Sequence, residues 1–292
     1  KMERYKDKTI LITGASSGIG KAFARRLDEL GANIILTARS EDKLIELASK
    51  MHNACVISGD LSDREFSNKL YHSVKEKDLQ VDILINNAGF GFSGLFLESD
   101  IKNYKEMLDV NIYSLTSLTH LFLKDMIKRR NGGIINVSSL ASYQPMPYFS
   151  IYAATKAYVT SFTIALYEEY KDKGIHILAV CPGYTKTNFN KRALMNPKPV
   201  AGYSMTSEAV VEESLKAYLK RKPLIINGFS NRFIKSFMSL LPRSVALKMT
   251  KYIIKKGFRE IMSYVPRSSS LRRGRLLRSR FQANVLPARR AW

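Results

Sequence analysis

What the sequence lacks narrows the field first. Its two cysteines, Cys55 and Cys181, form no CxxC pair and each lies in a short apolar run of strand character. Each is expected to be a small buried hydrophobe, not a disulfide half or a metal ligand. The four histidines, His52, His72, His120 and His176, show no ligand spacing, so no metal site is expected. The longest charge-free run, Asn131 to Thr155, is interrupted by Gly132, Gly133, Asn136, Pro145 and Pro147, which excludes it as a bilayer span of about 18 or more apolar residues. The opening Lys1-Met2-Glu3-Arg4-Tyr5-Lys6-Asp7-Lys8 is charged and lacks the apolar centre of a signal peptide, and a cytoplasmic protein is expected.

Acidic residues run out toward the end of the chain. Residues 1–220 hold 29 Lys and Arg against 24 Asp and Glu, residues 221–266 hold 10 against 1, and residues 267–292 hold 8 against 0. The net charge of +22 therefore belongs mainly to the last quarter, and a nucleic-acid partner for the whole protein is not expected. From Arg267 to Trp292 every cation is Arg and no helical or strand period is visible. This Arg-rich tail reads as an appended segment of the kind vector read-through adds, the rival being a native basic arm for an anionic surface.

What is present is a chain of 292 residues, 45% of them hydrophobic, enough for one large domain that buries about three quarters of its unfolded-chain surface. Short β-rich runs alternate with helical patterns, which predicts an α/β fold: a doubly wound, Rossmann-type parallel sheet of about seven strands with helices on both faces. A single domain over residues 1–266 is expected. Strands are expected at Thr9–Thr13, Asn33–Ala38, Cys55–Ser58, Ile83–Asn86, Gly133–Ser138, His176–Cys181 and Pro223–Asn227. Helices are expected near Gly18–Leu30, Glu41–Lys50, Asp63–Lys77, Asn103–Arg130, Ile151–Lys173 and Ser207–Lys220. In such a sheet the ligand lies at the carboxyl ends of the strands.

Directly after the first strand comes Thr13-Gly14-Ala15-Ser16-Ser17-Gly18-Ile19-Gly20-Lys21, opening a helix whose amides and dipole favour a pyrophosphate. It is not a triphosphatase loop, because five residues separate Gly14 from Gly20 and Ala22 stands where a magnesium-binding hydroxyl is required. The pattern Thr13-Gly14-x-x-x-Gly18-x-Gly20 resembles the cofactor fingerprint of the short-chain dehydrogenases/reductases, and further motifs follow in order. Asp60-Leu61 follows the third strand, Asn87-Ala88-Gly89 the fourth and Ser139 the fifth; Asn111 lies in the long fourth helix, Tyr152-x-x-x-Lys156 opens the next, and Pro182-Gly183 follows the sixth strand. The chain is thus similar to the NADP(H)-preferring branch with the shorter subunit.

The resemblance implies a cofactor cradle of Gly14, Ser16, Ser17, Gly18, Ile19, Gly20, Asp60, Leu61, Asn87, Ala88, Gly89, Tyr152, Lys156, Pro182, Gly183, Thr185 and Thr187. Thr185 is the first choice for the nicotinamide carboxamide, with Thr187 as the alternative. No acidic residue follows Leu36-Thr37-Ala38 to take an adenosine ribose diol. Arg39 instead offers a guanidinium suited to a 2′-phosphate, so NADP(H) is expected over NAD(H).

Reduction of a carbonyl needs a proton delivered to its oxygen and a donor that polarises it. Tyr152 is the expected acid. Its ordinary pKa is about 10, and Lys156, one helical turn on, supplies the cation a phenolate requires. Ser139, thirteen residues before Tyr152, has the interval the family uses for its carbonyl-polarising hydroxyl, and alternation points its neighbour Ser138 the other way. Asn111 completes the set by resemblance, bending its helix and holding a water that relays protons to the lysine.

The loops that wall the substrate in this family here carry Phe90, Phe92, Gln144, Pro145, Met146, Tyr148, Phe149, Phe189 and Met195. This apolar set points to a lipid-like or apolar ketone or secondary alcohol. Residues 231–262 read as a basic amphipathic helical extension: Phe233, Ile234, Phe237, Met238 and Leu241 recur at helical spacing, Pro242 breaks the run, and Val245, Met249, Tyr252 and Ile253 resume it before Gly257. Its cations would suit peripheral contact with an anionic membrane, or the pair folds back over the cleft. The expected activity is an NADPH-dependent carbonyl reductase, reversible as an alcohol dehydrogenase, and a homo-oligomer, dimer or tetramer, is implied by the resemblance. The alternative is an NADP(H) sensor or scaffold without significant turnover.

Overall fold

The computed structural model describes residues 2–187, 189 and 204–264. Met195 and the Arg-rich tail lie outside the described residues. Seven parallel strands form one sheet in the order β3-β2-β1-β4-β5-β6-β7. They are β1 Thr9–Thr13, β2 Asn33–Thr37, β3 Ala54–Val56, β4 Ile83–Asn86, β5 Gly132–Val137, β6 Ile175–Cys181 and β7 Leu224–Ile226, each within two residues of the sequence expectation at either end. The helices are α1 Gly18–Glu29, α2 Glu41–Ala48, α3 Phe66–Glu76, α4 Ile101–Leu108, α5 Leu115–Lys128, α6 Ser150–Tyr170, α7 Ser207–Leu219, α8 Phe229–Leu240 and α9 Arg243–Tyr264.

The central strands are apolar throughout because both of their faces are covered. Alternation sends Ile10, Ile12, Ile34 and Leu36 to one face, against Phe23 and Leu27 of α1 and Val210 and Leu215 of α7. It sends Leu11, Ile35, Leu84 and Ile134 to the other, against Leu70 and Val74 of α3 and Leu118 and Phe122 of α5. Each such fully buried side chain contributes about 1.5 to 3 kcal/mol relative to exposure. The two edges, β3 and β7, are only three residues long, which leaves little unpaired backbone for another chain to join. Cys181 is fully buried, as expected. Cys55 sits in edge strand β3 and is only partly covered.

A polar thread crosses this apolar interior. Asn86 Nδ2 donates to Asn136 Oδ1 at 2.9 Å and to Thr119 Oγ1 at 3.1 Å, and Asn136 Nδ2 donates to Thr163 Oγ1 at 3.0 Å. It joins α5, β4, β5 and α6.

One expectation needs correction. The single helix expected over Asn103–Arg130 is α4 and α5 separated by a π turn, Asp109–Ser114; the wider turn breaks the regular ladder at Asn111. The basic extension expected over residues 231–262 is α8 and α9, the second running on through Gly257 to Tyr264, an isolated helical glycine costing only about 1 kcal/mol.

Candidate active site

Strand order reverses between β2-β1 and β4-β5, so the crevice opens at the carboxyl ends of β1 and β4. There the Thr13 hydroxyl accepts from the amides of Asn87 and Ala88, both at 2.9 Å, while Asn87 Nδ2 donates back to Thr13 O at 2.9 Å. The turn after β1 is therefore bolted to the turn after β4. Gly14 has φ +65°, and a Cβ there would stand 2.9 Å from Ala88 Cα. A Cβ on Gly20 would stand 2.4 Å from Gly14 O. Both glycines are required by close backbone approach. Ser16 and Ser17 lie in this turn, and Ser17, the N-cap of α1, makes no side-chain cap bond. The first-turn amides at Ile19 and Gly20 are left facing the crevice end of the helix, an arrangement that fits a pyrophosphate.

Thr187 lies beside this turn, its Cγ2 3.2 Å from where a Gly18 Cβ would be. Thr185, the first choice from sequence, is buried and donates to Gly183 O at 3.1 Å. Pro182 O accepts from Leu140 N at 2.8 Å, which ties the loop after β6 to that after β5. Gly89 lies against Asn111 Oδ1 and Lys156 Nζ. Leu61 is buried in the core beside α3.

Arg39 is not the unopposed cation the sequence led one to expect. Its Nη1 lies 3.1 Å from Glu106 Oε1 of α4 and 3.7 Å from Asp60 Oδ2. The acid missing after β2 is supplied by two other segments. A 2′-phosphate at Arg39 would have to displace these carboxylates, and an Arg half in solvent makes that exchange inexpensive.

The chemical groups meet on α6. Tyr152 is buried, and burial pushes its pKa up to about 12 against the lowering effect of the nearby Ser139 hydroxyl, whose Oγ accepts from Ala141 N at 3.1 Å. Lys156 is also buried, donates from Nζ to Val137 O at 2.8 Å, and burial pulls its pKa down to about 8. Its Nζ lies 5.8 Å from the Tyr152 ring centre. Ser138 faces the other way as alternation predicts, bonded to Lys156 O at 2.8 Å and to Thr160 Oγ1 at 2.6 Å. Ser139 is the serine at the phenol.

Asn111 is placed by the π turn so that its side chain is fully engaged. Oδ1 accepts from Phe90 N at 3.1 Å, and Nδ2 donates to Phe90 O at 2.9 Å and to Thr155 Oγ1 at 3.0 Å. It ties the loop after β4 to α6, and Thr155 in turn donates to Tyr152 O at 2.7 Å. Its side-chain amide positions these two segments against each other. Cys181 Sγ lies 3.6 Å from Thr160 Oγ1, and burial pushes its thiol up, so it stays neutral behind the site.

An apolar wall rises over Tyr152. The Phe149 ring centre is 4.4 Å away and that of Phe189 5.3 Å, with Phe90, Phe92 and Met146 packed around them. Gln144 is drawn aside by Thr250 Oγ1 at 3.0 Å, and Tyr148 shapes the wall through its carbonyl, which accepts from Gly94 N at 2.8 Å. Sequence reading missed Tyr104 and Met107 of α4, both buried in this cluster. Their one-turn spacing was the available signal, hidden because the helix was taken as continuous.

The short chain dehydrogenase family model matches residues 8–197. A very-long-chain 3-oxoacyl-CoA reductase of Rattus norvegicus is 35% identical over 62% of this chain and 60% of its own length. An uncharacterised oxidoreductase of Staphylococcus saprophyticus is 32% identical over 68% of this chain and 90% of its own length. The chain thus spans less than two thirds of the mammalian relative's length. Among solved structures, a short-chain dehydrogenase from Sphingobium yanoikuyae in complex with NADPH superposes with a TM-score of 0.73 at 26% identity, covering 90% of this chain and 98% of that one. With the fold, the ordered motifs and these matches in agreement, the chain belongs to the short-chain dehydrogenase family.

Proposed function

We propose that the protein is an NADPH-dependent carbonyl reductase, reversible as an alcohol dehydrogenase, for an apolar, lipid-like ketone. The observation that carries this reading is the buried Tyr152 phenol, close to the Ser139 hydroxyl, one turn from Lys156 and walled by Phe149 and Phe189. A bound dinucleotide would supply the hydride. The chain's own groups do the rest.

Ser139 donates to the carbonyl oxygen and polarises it before transfer. Tyr152, protonated at neutral pH like any phenol and held so more firmly by its burial, delivers the proton as negative charge grows on that oxygen. The cationic Lys156 stabilises the phenolate left behind, and Asn111 holds the loop after β4 against α6 so that these distances persist. Gly14, Gly18, Gly20 and the uncapped start of α1 would take the pyrophosphate, Arg39 the 2′-phosphate, Asp60 the adenine, and Thr185 or Thr187 the carboxamide. The NADPH held by the Sphingobium relative and the 3-oxoacyl chain in the rat reductase's name support cofactor and substrate class respectively. By family, a homo-oligomer is the expected working form.

The test is consumption of NADPH or NADH, followed by nicotinamide absorbance, with long-chain 3-oxo thioesters, ring ketones and sugar ketones. Turnover with NADPH on the apolar ketones is the expected result. Tight NADPH binding without turnover on any of them overturns the enzyme reading in favour of a sensor, and preference for NADH or for sugars overturns the finer assignment.

A further inference from the structure

We propose that the outer faces of α8 and α9 form a docking surface for an anionic lipid bilayer. The inner faces of this pair are engaged. Asn231 is buried against Gly183 and donates to Asn227 O at 2.7 Å, Thr250 holds Gln144, and Lys235 Nζ lies 5.5 Å from the Tyr143 ring centre. The helices therefore close the end of the molecule where the loops after β5 and β6 emerge.

Among the described residues, nothing covers their outer faces. On α8, Phe229 is 80% exposed, Phe233 66% and Leu240 83%, with Phe237 also in solvent; steps of four, four and three residues put all four on one side of the helix. On α9, Tyr252 is 71% exposed, and Val245, Met249 and Ile253 accompany it. Three phenylalanines and a leucine protruding in a row are far from ordinary surface composition, and such patches mark interaction sites.

Charge decides what covers them. Residues 229–258 contain seven Lys and Arg and no Asp or Glu. Pairing with a second copy through this face would set cation against cation. Segments 190–203 and 265–292 of the same chain are likewise basic and free of acid, so neither complements the surface. Apolar side chains flanked by long cationic ones are the composition of a helix lying in the headgroup layer, with rings below the phosphates and ammonium groups among them. The proposal does not depend on the reductase reading.

The test uses the full chain and sedimentation with vesicles, either phosphatidylcholine alone or phosphatidylcholine with an equal part of phosphatidylglycerol. Wild type is expected to sediment with the anionic vesicles only. The variant F229S/F233S/F237S/L240S keeps every charge, so adsorption through the basic tail survives in it while insertion is lost, and its partitioning is expected to fall by roughly a hundredfold or more. R243Q/K248Q/K251Q keeps the rings and is expected to lose roughly fivefold per cation. In a chain carrying Trp292→Phe, a Phe233→Trp reporter is expected to shift to the blue on anionic vesicles, which checks insertion without the quadruple variant. Equal binding by the quadruple variant and wild type, an unshifted reporter, or no binding by wild type overturns the proposal. A quadruple variant that instead falls from oligomer to monomer assigns the stripe to contacts between copies and overturns it too.

Discussion

The turn region around Thr13 and Asn87 and the helix pair α8–α9 both lie at the carboxyl end of the sheet, yet they are held by opposite means. In the first, hydrogen bonds of 2.9 Å from Asn87 and Ala88 join two loops through one threonine hydroxyl, and glycines let the backbones touch. In the second, a few polar contacts fix the inner faces, and large apolar side chains stand in solvent. A site that must place a dinucleotide to fractions of an ångström tolerates no slack. A surface proposed to meet a bilayer needs area and charge instead, and its outer side chains can change without disturbing the chemistry.

The comparison is broken most severely at the phenol. Tyr152→Phe is expected to lower turnover by about a thousandfold or more while NADPH affinity, measured by fluorescence titration, stays within about twofold. Gly20→Ala should do the reverse. Its new Cβ meets Gly14 O at 2.4 Å, so NADPH affinity is expected to fall by roughly a hundredfold or more and the thermal midpoint to drop with an overpacking cost of about 1 to 3 kcal/mol. Arg39→Asp is expected to shift the NADPH-to-NADH affinity ratio by about ten- to a hundredfold toward NADH; an unchanged ratio would leave the 2′-phosphate assignment without support.

A pH profile sharpens the comparison from the buried side. Burial lowers Lys156 to about 8, so the cation that Tyr152 relies on is present below that pH and lost above it. The kcat/KM for NADPH is expected to be level below about pH 8 and to fall up to about tenfold per unit beyond. Lys156→Arg, which cannot lose its proton, should remove the break. The smallest effect is expected for Glu106→Gln, which frees Arg39 from its 3.1 Å partner and should tighten NADPH by only about two- to fivefold.

Most of the frame was legible because strands buried on both faces are written as continuous Ile, Leu and Val runs, and because Tyr152 and Lys156 declare their geometry by a four-residue step. The choice of Ser139 over Ser138 took alternation together with the interval to Tyr152 that the family uses. The π turn was not legible: one extra residue per turn shifts the phase of the apolar pattern without erasing it, so 103–130 read as one helix. The pairing of Arg39 with Glu106 was hidden for a different reason, since partners 67 residues apart meet only once the sheet has formed. The basic extension could be recognised as helical, but which face turned inward depended on Asn231 and Thr250 finding Gly183 and Gln144.

The buried polar thread of Asn86, Asn136, Thr119 and Thr163 bears on how this protein can vary over generations. Removing one member strands a partner that has no water to turn to, which costs about 1 to 3 kcal/mol, whereas replacing both ends of a bond with apolar groups of similar shape is close to neutral. Neutral drift at these positions is therefore gated. A chain must cross a weakened single substitution before a compensated pair is reached, so the four should be inherited as a block, and a chimera that draws β4 from one parent and β5 from another should falter at Asn86 and Asn136 before it falters at the catalytic groups.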